Sequence, residues 1–173
     1  MLVVMAGLPG AGKSTIAEVI GNRLGYALLS VDPIESAILS AGIDSDQPAG
    51  LAAYLVAEAI ADAALANGQT IIVDAVNAVD PAREQWVHLA KKHGEQLRFI
   101  EVVCSDTELH RERLEARDRN LTHLPEPTWH AVEQSLEEYA DWTGPTAAIP
   151  RITLDSVQRL GQTVEQALAF IQV

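Results

Sequence analysis

The feature that most constrains the fold of this chain is a glycine-rich stretch close to its start. The segment GLPGAGKST, residues 7–15, places three glycines and a proline between an apolar run and a stretch with helical periodicity. Glycines at this density cost backbone entropy and contribute no side chains to a core. They are used where the chain turns tightly or where another group must approach the backbone closely. The segment therefore predicts a strand, a tight loop and a helix in succession.

The spacing inside this segment indicates which group approaches the backbone. Residues 7–14 match the pattern G-x-x-x-x-G-K-[ST] at every fixed position. A polyphosphate can lie against consecutive backbone N–H groups of such a loop, next to the partial positive charge of a helix N-terminus. In this pattern the lysine, Lys13, reaches the β- and γ-phosphates, and the hydroxyl of Ser14 is a Mg²⁺ ligand. The predicted nucleotide-binding residues of the loop are Gly7, Leu8, Pro9, Gly10, Ala11, Gly12, Lys13, Ser14 and Thr15.

Beyond the loop, short apolar runs alternate with helical stretches. Strands are predicted at residues 2–7, 27–32, 70–75, 97–103 and 151–156. Continuous apolar runs are typical of strands covered on both faces, so the alternation predicts an α/β fold with a parallel sheet. A length of 173 residues fits one domain, residues 1–173.

Capping residues predict where two of the helices begin. Asp80 is expected to cap a helix that has Pro81 at its first position. Thr163 and Gln166 have the spacing of a capping box, which would start the last helix.

Composition limits the classes of partner. Lys and Arg number 12 against 24 Asp and Glu, and the net charge of −12 would repel a phosphate polymer, so nucleic-acid binding is not expected. The single cysteine, Cys104, fits a reducing cytoplasm and is expected to be a small apolar residue rather than a nucleophile. The longest apolar stretch, residues 51–68, carries Glu58 and Asp62 and is not expected to span a membrane. The first residues lack the basic flank of a signal peptide.

Polar residues stand where two predicted strands end, which is where ligands of open α/β sheets collect. Asp32 follows ALLSV and is interpreted as the base for an acceptor hydroxyl, with a helix cap or a metal ligand as alternatives. Asp74 follows TIIV and is typical of the second metal-site element of a P-loop protein, with a turn aspartate as the alternative. Asn77 is either a contact for the acceptor or a turn residue.

Four arginines are clustered within nine residues of the segment ELHRERLEARDRN, residues 108–120. Such a cluster can neutralise the charge that develops in phosphoryl transfer. The alternative is a solvated helix face paired with glutamates, which is expected for Arg111; Arg113 shares a helix face with Arg117. Arg117 and Arg119 lie nearest a helix break and are assigned to a mobile lid, about residues 115–128.

Histidines and aromatic residues give weaker signals. The five histidines lack metal-ligand spacing and are expected on the surface or in the lid. Trp129, Tyr139 and Trp142 could line an acceptor pocket, although packing is the alternative at their helical spacing.

The order of GLPGAGKST, SVD, IIVDAVN, DPAREQW, ERLEARDRN and PEPTW resembles that of the small AAA-type P-loop kinases. This family is grouped with polynucleotide kinase and chloramphenicol phosphotransferase and is related to shikimate, gluconate and adenylylsulfate kinases. The resemblance covers most of the chain. It implies a P-loop NTPase three-layer sandwich with a five-stranded parallel sheet, order 2-3-1-4-5, and a helical lid.

The resemblance also implies roles for particular residues. The family's acceptor-activating aspartate falls on Asp32 and its second metal-site aspartate on Asp74. Its lid arginines fall on Arg117 and Arg119. Its adenine lies near the loop after the last strand, where Asp155 and Ser156 stand, with Arg151 as a further contributor.

The implied activity is an ATP- and Mg²⁺-dependent kinase acting on a hydroxyl of a small molecule. A nucleoside or nucleotide kinase is one alternative, and a nucleotide-dependent regulatory ATPase or binding protein is another. Asp32 discriminates between a kinase and a regulatory binding protein, because a binding protein needs no acceptor base. The acidic charge departs from polynucleotide kinases and argues against a nucleic-acid substrate. The expected setting is cytoplasmic, as a monomer or homodimer.

Overall fold

The predicted strands pair into one parallel sheet in the computed structural model, which describes residues 1–44 and 46–172. The sheet has five strands in the order β2-β3-β1-β4-β5. The strands are β1 (Leu2–Ala6), β2 (Ala27–Ser30), β3 (Ile71–Asp74), β4 (Leu97–Val103) and β5 (Arg151–Asp155). The helices are α1 (Lys13–Leu24), α2 (Val31–Ser40), α3 (Ala49–Ala66), α4 (Asp80–His93), α5 (Thr107–Glu115), α6 (Trp129–Glu138), α7 (Gly144–Ala147) and α8 (Leu160–Gln172). The predicted fold class and strand order are confirmed.

The sequence of strand β1 is continuously apolar because both faces of the strand are buried. Leu2 and Val4 point into a core beneath α3 and α4, whereas Val3 and Met5 point into a second core beneath α1 and α8. All four side chains are completely buried. The sheet is therefore covered by helices on both faces, as expected for parallel strands joined by helical crossovers.

The strand register brings the site residues to one edge of the sheet. Asp74, at the end of β3, is paired with Met5 of β1 and with Ser30 of β2. The loops that follow these three strands therefore begin side by side. This edge holds the glycine-rich loop, the start of α2 and the loop after β3.

Both predicted capping arrangements are wrong. Helix α4 begins at Asp80, so this residue is inside the first turn, and its carboxylate accepts a hydrogen bond from the Thr143 hydroxyl at 2.5 Å. Helix α8 begins at Leu160, one turn before the proposed box of Thr163 and Gln166. Thr163 is buried, and its hydroxyl donates to the Leu160 carbonyl at 2.9 Å. At Asp80 a contact with a distant residue replaces the capping bond, whereas Thr163 lies inside a helix that has already begun.

Among the described helices, α3 is long and apolar enough to cross a membrane, judged by length and composition alone. Here it packs against α2, α4 and β3. Its buried side chains are Ala53, Ala57, Ala61 and Leu65, besides Ala49 at its start. Its outer side exposes Leu51, Leu55, Val56 and Ile60.

Candidate active site

The glycine-rich loop adopts a conformation that its glycines make possible. Gly7, Gly10 and Gly12 have φ angles of 131°, 82° and 97°. A Cβ atom at Gly7 would lie 2.2 Å from the carbonyl oxygen of Val102, so no other residue fits there without a shift of the backbone. Gly12 is the N-cap of α1, so the loop leads directly into the helix N-terminus. This geometry is the one required for backbone N–H groups to bind an anion.

A cavity of about 420 Å³ opens over this loop. Its volume is in the range of small-molecule sites. The lining residues are Gly10, Gly12, Lys13, Ser14, Thr15, Ile16, Arg113, Arg117, Ser156, Gln158, Leu160 and Thr163. The structure thus brings together several predicted residues of the loop and one predicted lid arginine, together with the segment that follows β5.

Lys13 is buried at the floor of the site. Its ammonium donates a hydrogen bond to the Leu8 carbonyl at 3.1 Å. Burial lowers the pKa of Lys13, and the carboxylates of Asp74 and Asp32 act in the opposite direction. A buried ammonium between two carboxylates is well placed to neutralise an incoming phosphate.

Ser14 and Asp74 form the pair of oxygen donors expected for Mg²⁺. The Ser14 hydroxyl donates to Asp74 Oδ2 at 2.7 Å. Asp74 Oδ1 is buried and has no hydrogen-bond partner among the described residues, which is costly unless another group binds there. No group of three or more His, Cys, Asp or Glu side chains within 1–44 and 46–172 could hold a metal by itself. These donors fit Mg²⁺, which is usually held by one or two carboxylates together with water and substrate phosphates.

Asp32 lies in the first turn of α2 and faces the predicted lid. Ser30, not Asp32, occupies the N-cap position of this helix. The Asp32 carboxylate accepts a hydrogen bond from Arg119 and lies 3.6 Å from an Nη atom of Arg117. Glu126 accepts two hydrogen bonds from Arg119 Nε, at 2.8 and 3.0 Å. We call Asp32, Arg117, Arg119 and Glu126 the lid ion cluster.

Within the lid ion cluster, opposite charges favour each other's ionised forms and the two arginines oppose each other. Burial and the neighbouring Arg119 lower the pKa of Arg117, while Glu126 and Asp32 oppose this. Burial opposes the ionised forms of both Arg119 and Glu126, yet their mutual hydrogen bonds raise the pKa of Arg119 and lower the pKa of Glu126. The net effect is that both groups of this pair are ionised more readily than in an isolated side chain.

The segment between α5 and α6, residues 116–128, has no helix or strand and lies against α2. Besides the ion cluster, the Ser36 hydroxyl donates to the carbonyl oxygen of Thr122 at 2.6 Å. The predicted lid position therefore coincides with an irregular segment that is bound to α2 through Asp32 and Ser36. Its role as a lid stays a prediction.

Asn77 turns out to be part of the loop after β3 rather than an exposed contact. It is completely buried with a φ of 49°, and its amide donates to the Met5 carbonyl at 2.7 Å. Its side-chain oxygen accepts a hydrogen bond from Trp86 at 3.0 Å. Of the two interpretations, the structure supports the turn residue.

The segment after β5 contributes differently from the prediction. Ser156 lines the cavity, whereas the Asp155 carboxylate accepts hydrogen bonds from the Ser105 and Val157 backbone N–H groups, both at 3.1 Å. The hydrogen bonds from Ser105 lower the pKa of Asp155. The cofactor-binding role of Asp155 stays a prediction. The suggested contribution of Arg151 is wrong, since it lies at the opposite end of β5.

Arg113 lines the cavity, although its sequence pattern did not single it out as a nucleotide contact. Its guanidinium donates to the Ser156 hydroxyl at 2.8 Å and to the Ser156 carbonyl at 3.1 Å. The available signal was its spacing of four residues from Arg117, which also lines the cavity. Arg111, by contrast, pairs with Glu115 at 2.8 Å on the exposed face, as expected.

The remaining candidates belong to the packing of the fold. Trp142 packs edge-on against Phe99 at 4.9 Å, and Trp129 packs edge-on against His110 at 5.3 Å, which supports packing rather than a pocket. His110 is buried, contrary to expectation, and a ring nitrogen lies 2.8 Å from the Pro9 carbonyl beneath the glycine-rich loop.

Comparisons with known proteins agree with this geometry. The AAA domain family matches residues 2–139. A candidate kinase from Chloroflexus aurantiacus J-10-fl has the same fold, with a TM-score of 0.75 and 20% identity over 98% of this chain and 97% of that chain. A sugar kinase from Janibacter sp. HTCC2649 has a TM-score of 0.72 and 19% identity over 99% and 94% of the two chains. A gluconokinase from Sinorhizobium meliloti 1021 has a TM-score of 0.66 and 21% identity over 98% and 90%.

No curated protein matches the chain significantly. Since the family match covers most of the chain, from β1 to the end of α6, the chain belongs to the AAA domain family and has the fold of the small P-loop kinases.

Proposed function

We propose that the protein is a small-molecule kinase that transfers the γ-phosphoryl group of ATP to a hydroxyl group of its acceptor. The observation that carries this proposal is the position of Asp32. Burial lowers the pKa of Lys13, and the Asp32 carboxylate is near enough to that lysine to oppose the effect. It is also bound by the two arginines of the lid ion cluster. A protein that only binds a nucleotide has no need of a carboxylate at this place.

The nucleotide is proposed to bind in the cavity over the glycine-rich loop. The backbone N–H groups at the start of α1 bind the phosphates, and the Lys13 ammonium compensates their charge. Arg117 lines the cavity on the lid side. Arg113 and Gln158 lie where the cavity continues towards the segment after β5, so the base is expected there. The open cavity and its cationic side chains support this orientation.

Ser14 and Asp74 would hold the Mg²⁺ ion that accompanies ATP. Its chemistry there is to neutralise charge on the phosphate oxygens. The buried and unpartnered Asp74 Oδ1 is the support for this assignment in the described structure. The hydrogen bond between the two side chains fixes their relative position.

In the proposed reaction the acceptor oxygen attacks the γ-phosphorus while the bond from that phosphorus to the β,γ-bridging oxygen breaks. The hydroxyl proton passes to the Asp32 carboxylate, and ADP leaves with the bridging oxygen. Lys13, Arg117 and Arg119 neutralise the charge that spreads over the transferring group. Since Arg119 binds Asp32 in this structure, the acceptor must displace Arg119, which then becomes available to the phosphoryl group.

The proposed partners are ATP and a small hydroxyl compound. Neighbours of the same fold that are described as a sugar kinase and a gluconokinase support an acceptor of this class. The strong negative net charge disfavours a nucleic acid as the acceptor. We place the protein in the cytoplasm, where ATP is abundant and a free Cys104 remains reduced.

The test of the proposal is the variant Asp32→Asn. An amide can hydrogen-bond the acceptor hydroxyl but cannot accept its proton, so acceptor-dependent turnover should fall roughly 10²–10⁴-fold. The loss should appear mainly in kcat, with MgATP affinity retained. Initial rates of ADP formation and binding calorimetry measure the two quantities.

Asp106→Asn is the matched control, because Asp106 caps α5 through the Leu109 N–H and asparagine caps a helix about as well. It should leave turnover unchanged. Recovery of Asp32→Asn at high Mg²⁺ would make Asp32 a metal ligand instead of a base. Turnover equal to that of the unmodified protein would remove the base assignment and favour a regulatory nucleotide-binding protein.

A further inference from the structure

Arg83 is a cation of α4 that is completely buried in the fold. Its guanidinium donates to the backbone carbonyls of Asn77 at 2.8 Å and of Ala78 at 2.9 Å. It also donates to the carbonyls of Ala140 at 2.8 Å and of Asp141 at 3.2 Å. Four carbonyl oxygens from two separate segments are therefore joined by a single side chain.

The two segments lie far apart along the chain. The first, residues 75–79, follows Asp74 directly, and none of its side chains lines the cavity. The second, residues 139–143, follows α6 and lies beyond the predicted lid in the sequence. The two are also joined directly, since the Ala140 N–H donates to the Ala78 carbonyl at 3.0 Å. Arg83 thus holds the segment after α6 against the loop that follows the metal-site carboxylate.

The first segment is also bound to the glycine-rich loop. The Gly7 N–H donates to the Val76 carbonyl at 3.0 Å, and the Asn77 amide donates to the Met5 carbonyl at 2.7 Å. A shift of this segment would therefore move the start of the glycine-rich loop as well as Asp74. The position of this segment therefore affects both the glycine-rich loop and Asp74, which are proposed to hold MgATP.

The surroundings of Arg83 fix the plane of its guanidinium. The Trp142 ring lies 4.1 Å and the Tyr139 ring 5.0 Å from the guanidinium carbon. A planar group with donors in a fixed fork suits this combination of ring faces and carbonyls, whereas a lysine ammonium cannot span it.

Burying this charge is not explained by stability alone. The nearest carboxylate, Asp80, is 3.5 Å away at one Nη atom, and the remaining partners are neutral carbonyls. A buried ion pair can often be replaced as a whole by apolar residues with little loss of stability, but an apolar residue in place of Arg83 would leave these carbonyls without a donor. What an apolar residue cannot supply is the set of bonds that fixes the two segments.

We propose that Arg83 is a positioning residue of the phosphoryl-transfer site. It sets the segment after Asp74 against the glycine-rich loop and against the segment that follows α6, and so determines how well Ser14 and Asp74 hold the metal. The inference rests on the proposed function, because the metal site is part of it. Residues that support metal ligands typically change metal affinity 10–100-fold when altered.

The experiment compares Arg83→Lys and Arg83→Met with Leu89→Ala. Leu89 is buried on the same helix and packs in the apolar core, so its variant loses stability while the hydrogen bonds of Arg83 to both segments remain. The readouts are Mn²⁺ affinity by electron paramagnetic resonance with a nonhydrolysable ATP analogue, analogue affinity without metal, and thermal unfolding. Both Arg83 variants should bind Mn²⁺ about 10–100-fold more weakly while metal-free analogue affinity changes far less. Leu89→Ala should lower the unfolding temperature and leave Mn²⁺ affinity unchanged.

Several outcomes would overturn the inference. Normal Mn²⁺ affinity in a folded Arg83 variant, or an equal loss in Leu89→Ala, would leave Arg83 a purely structural residue. Failure of both Arg83 variants to fold would assign the side chain to global stability instead of positioning. If the unmodified protein with the analogue binds no Mn²⁺, the proposed metal site itself fails, and the inference fails with it. The first two results leave the proposed function standing.

Discussion

At the scale of residues, the site is an arrangement of alternating charges around Lys13. The ammonium is buried near the carboxylates of Asp74 and Asp32, and the guanidinium groups of Arg117 and Arg119 lie beyond them. In a buried position such charges interact more strongly than on the surface. In the proposed function, a triphosphate entering this arrangement would bring negative charge to the cations, and Asp32 would face the acceptor.

Lys13→Ala should lose most of the activity while keeping the fold. The lysine stabilises charge on the transferring group, and removing one such contact typically costs about 2.7–4 kcal/mol, or 10²–10³ in rate. Turnover is measured with ADP release, and the fold is checked by circular dichroism. Lys91→Ala, on the exposed face of α4, should be indistinguishable from the unmodified protein. Unchanged turnover in folded Lys13→Ala would contradict the kinase proposal.

The lowered pKa of Lys13 predicts a pH dependence of nucleotide binding. Burial lowers the pKa of Lys13 in the free protein, and bound phosphates would raise it again. Binding should therefore take up a proton, so that affinity falls as the pH rises through the free-state pKa. Calorimetry in buffers of different ionisation enthalpy measures this uptake. The variant Lys13→Arg, which stays protonated, should show none, and equal uptake in both proteins would rule out Lys13 as its source.

At the scale of elements, the sequence was informative where a signal is local. The buried strands and the glycine-rich loop depend on short runs and fixed spacing, and residues such as Gly7 and Lys13 were assigned correctly to the loop. The helix start proposed at Asp80 was not predictable, because its partner, Thr143, is supplied only by the fold. At Thr163 the helix begins one turn earlier, at Leu160, and the Thr163 hydroxyl binds a carbonyl inside that helix.

The segment 116–128 should become more ordered when nucleotide binds. Arg117 gains a phosphate partner in the cavity, and closure of a lid excludes water from the transferring group. Hydrogen exchange of these amides should slow with a nonhydrolysable ATP analogue. Equal exchange with and without the analogue would make this segment a solvated connection.

The same measurement examines the lid ion cluster. Glu126→Gln removes one charge of the cluster and with it the ion pair to Arg119. A partly exposed ion pair stabilises by about 1 kcal/mol, so amide exchange of 116–128 without nucleotide should become about fivefold faster. Glu133→Gln, on the exposed face of α6, is the control and should leave exchange unchanged.

At the scale of the whole molecule, the order of motifs was enough to predict the family and the strand order. It was not enough to find Arg113 or Arg83, since their roles depend on Ser156 and on carbonyls of residues 140–141, far away along the chain. Asp32 and Asp74 could be proposed as site residues because a parallel sheet gathers strand ends at one edge. Residues whose partners are distant along the chain carry no comparable sequence pattern.

The most direct measurement is ADP formation in the presence of a panel of alcohols, sugars, antibiotics and nucleosides, with the acceptor examined by mass spectrometry. A small-molecule kinase should form ADP much faster with at least one hydroxyl compound than with water alone, and that compound should gain one phosphoryl group. The increase should disappear in Asp32→Asn and persist in Asp106→Asn. Tight MgATP binding with ADP formation that no acceptor accelerates would contradict the kinase proposal and identify a regulatory nucleotide-binding protein.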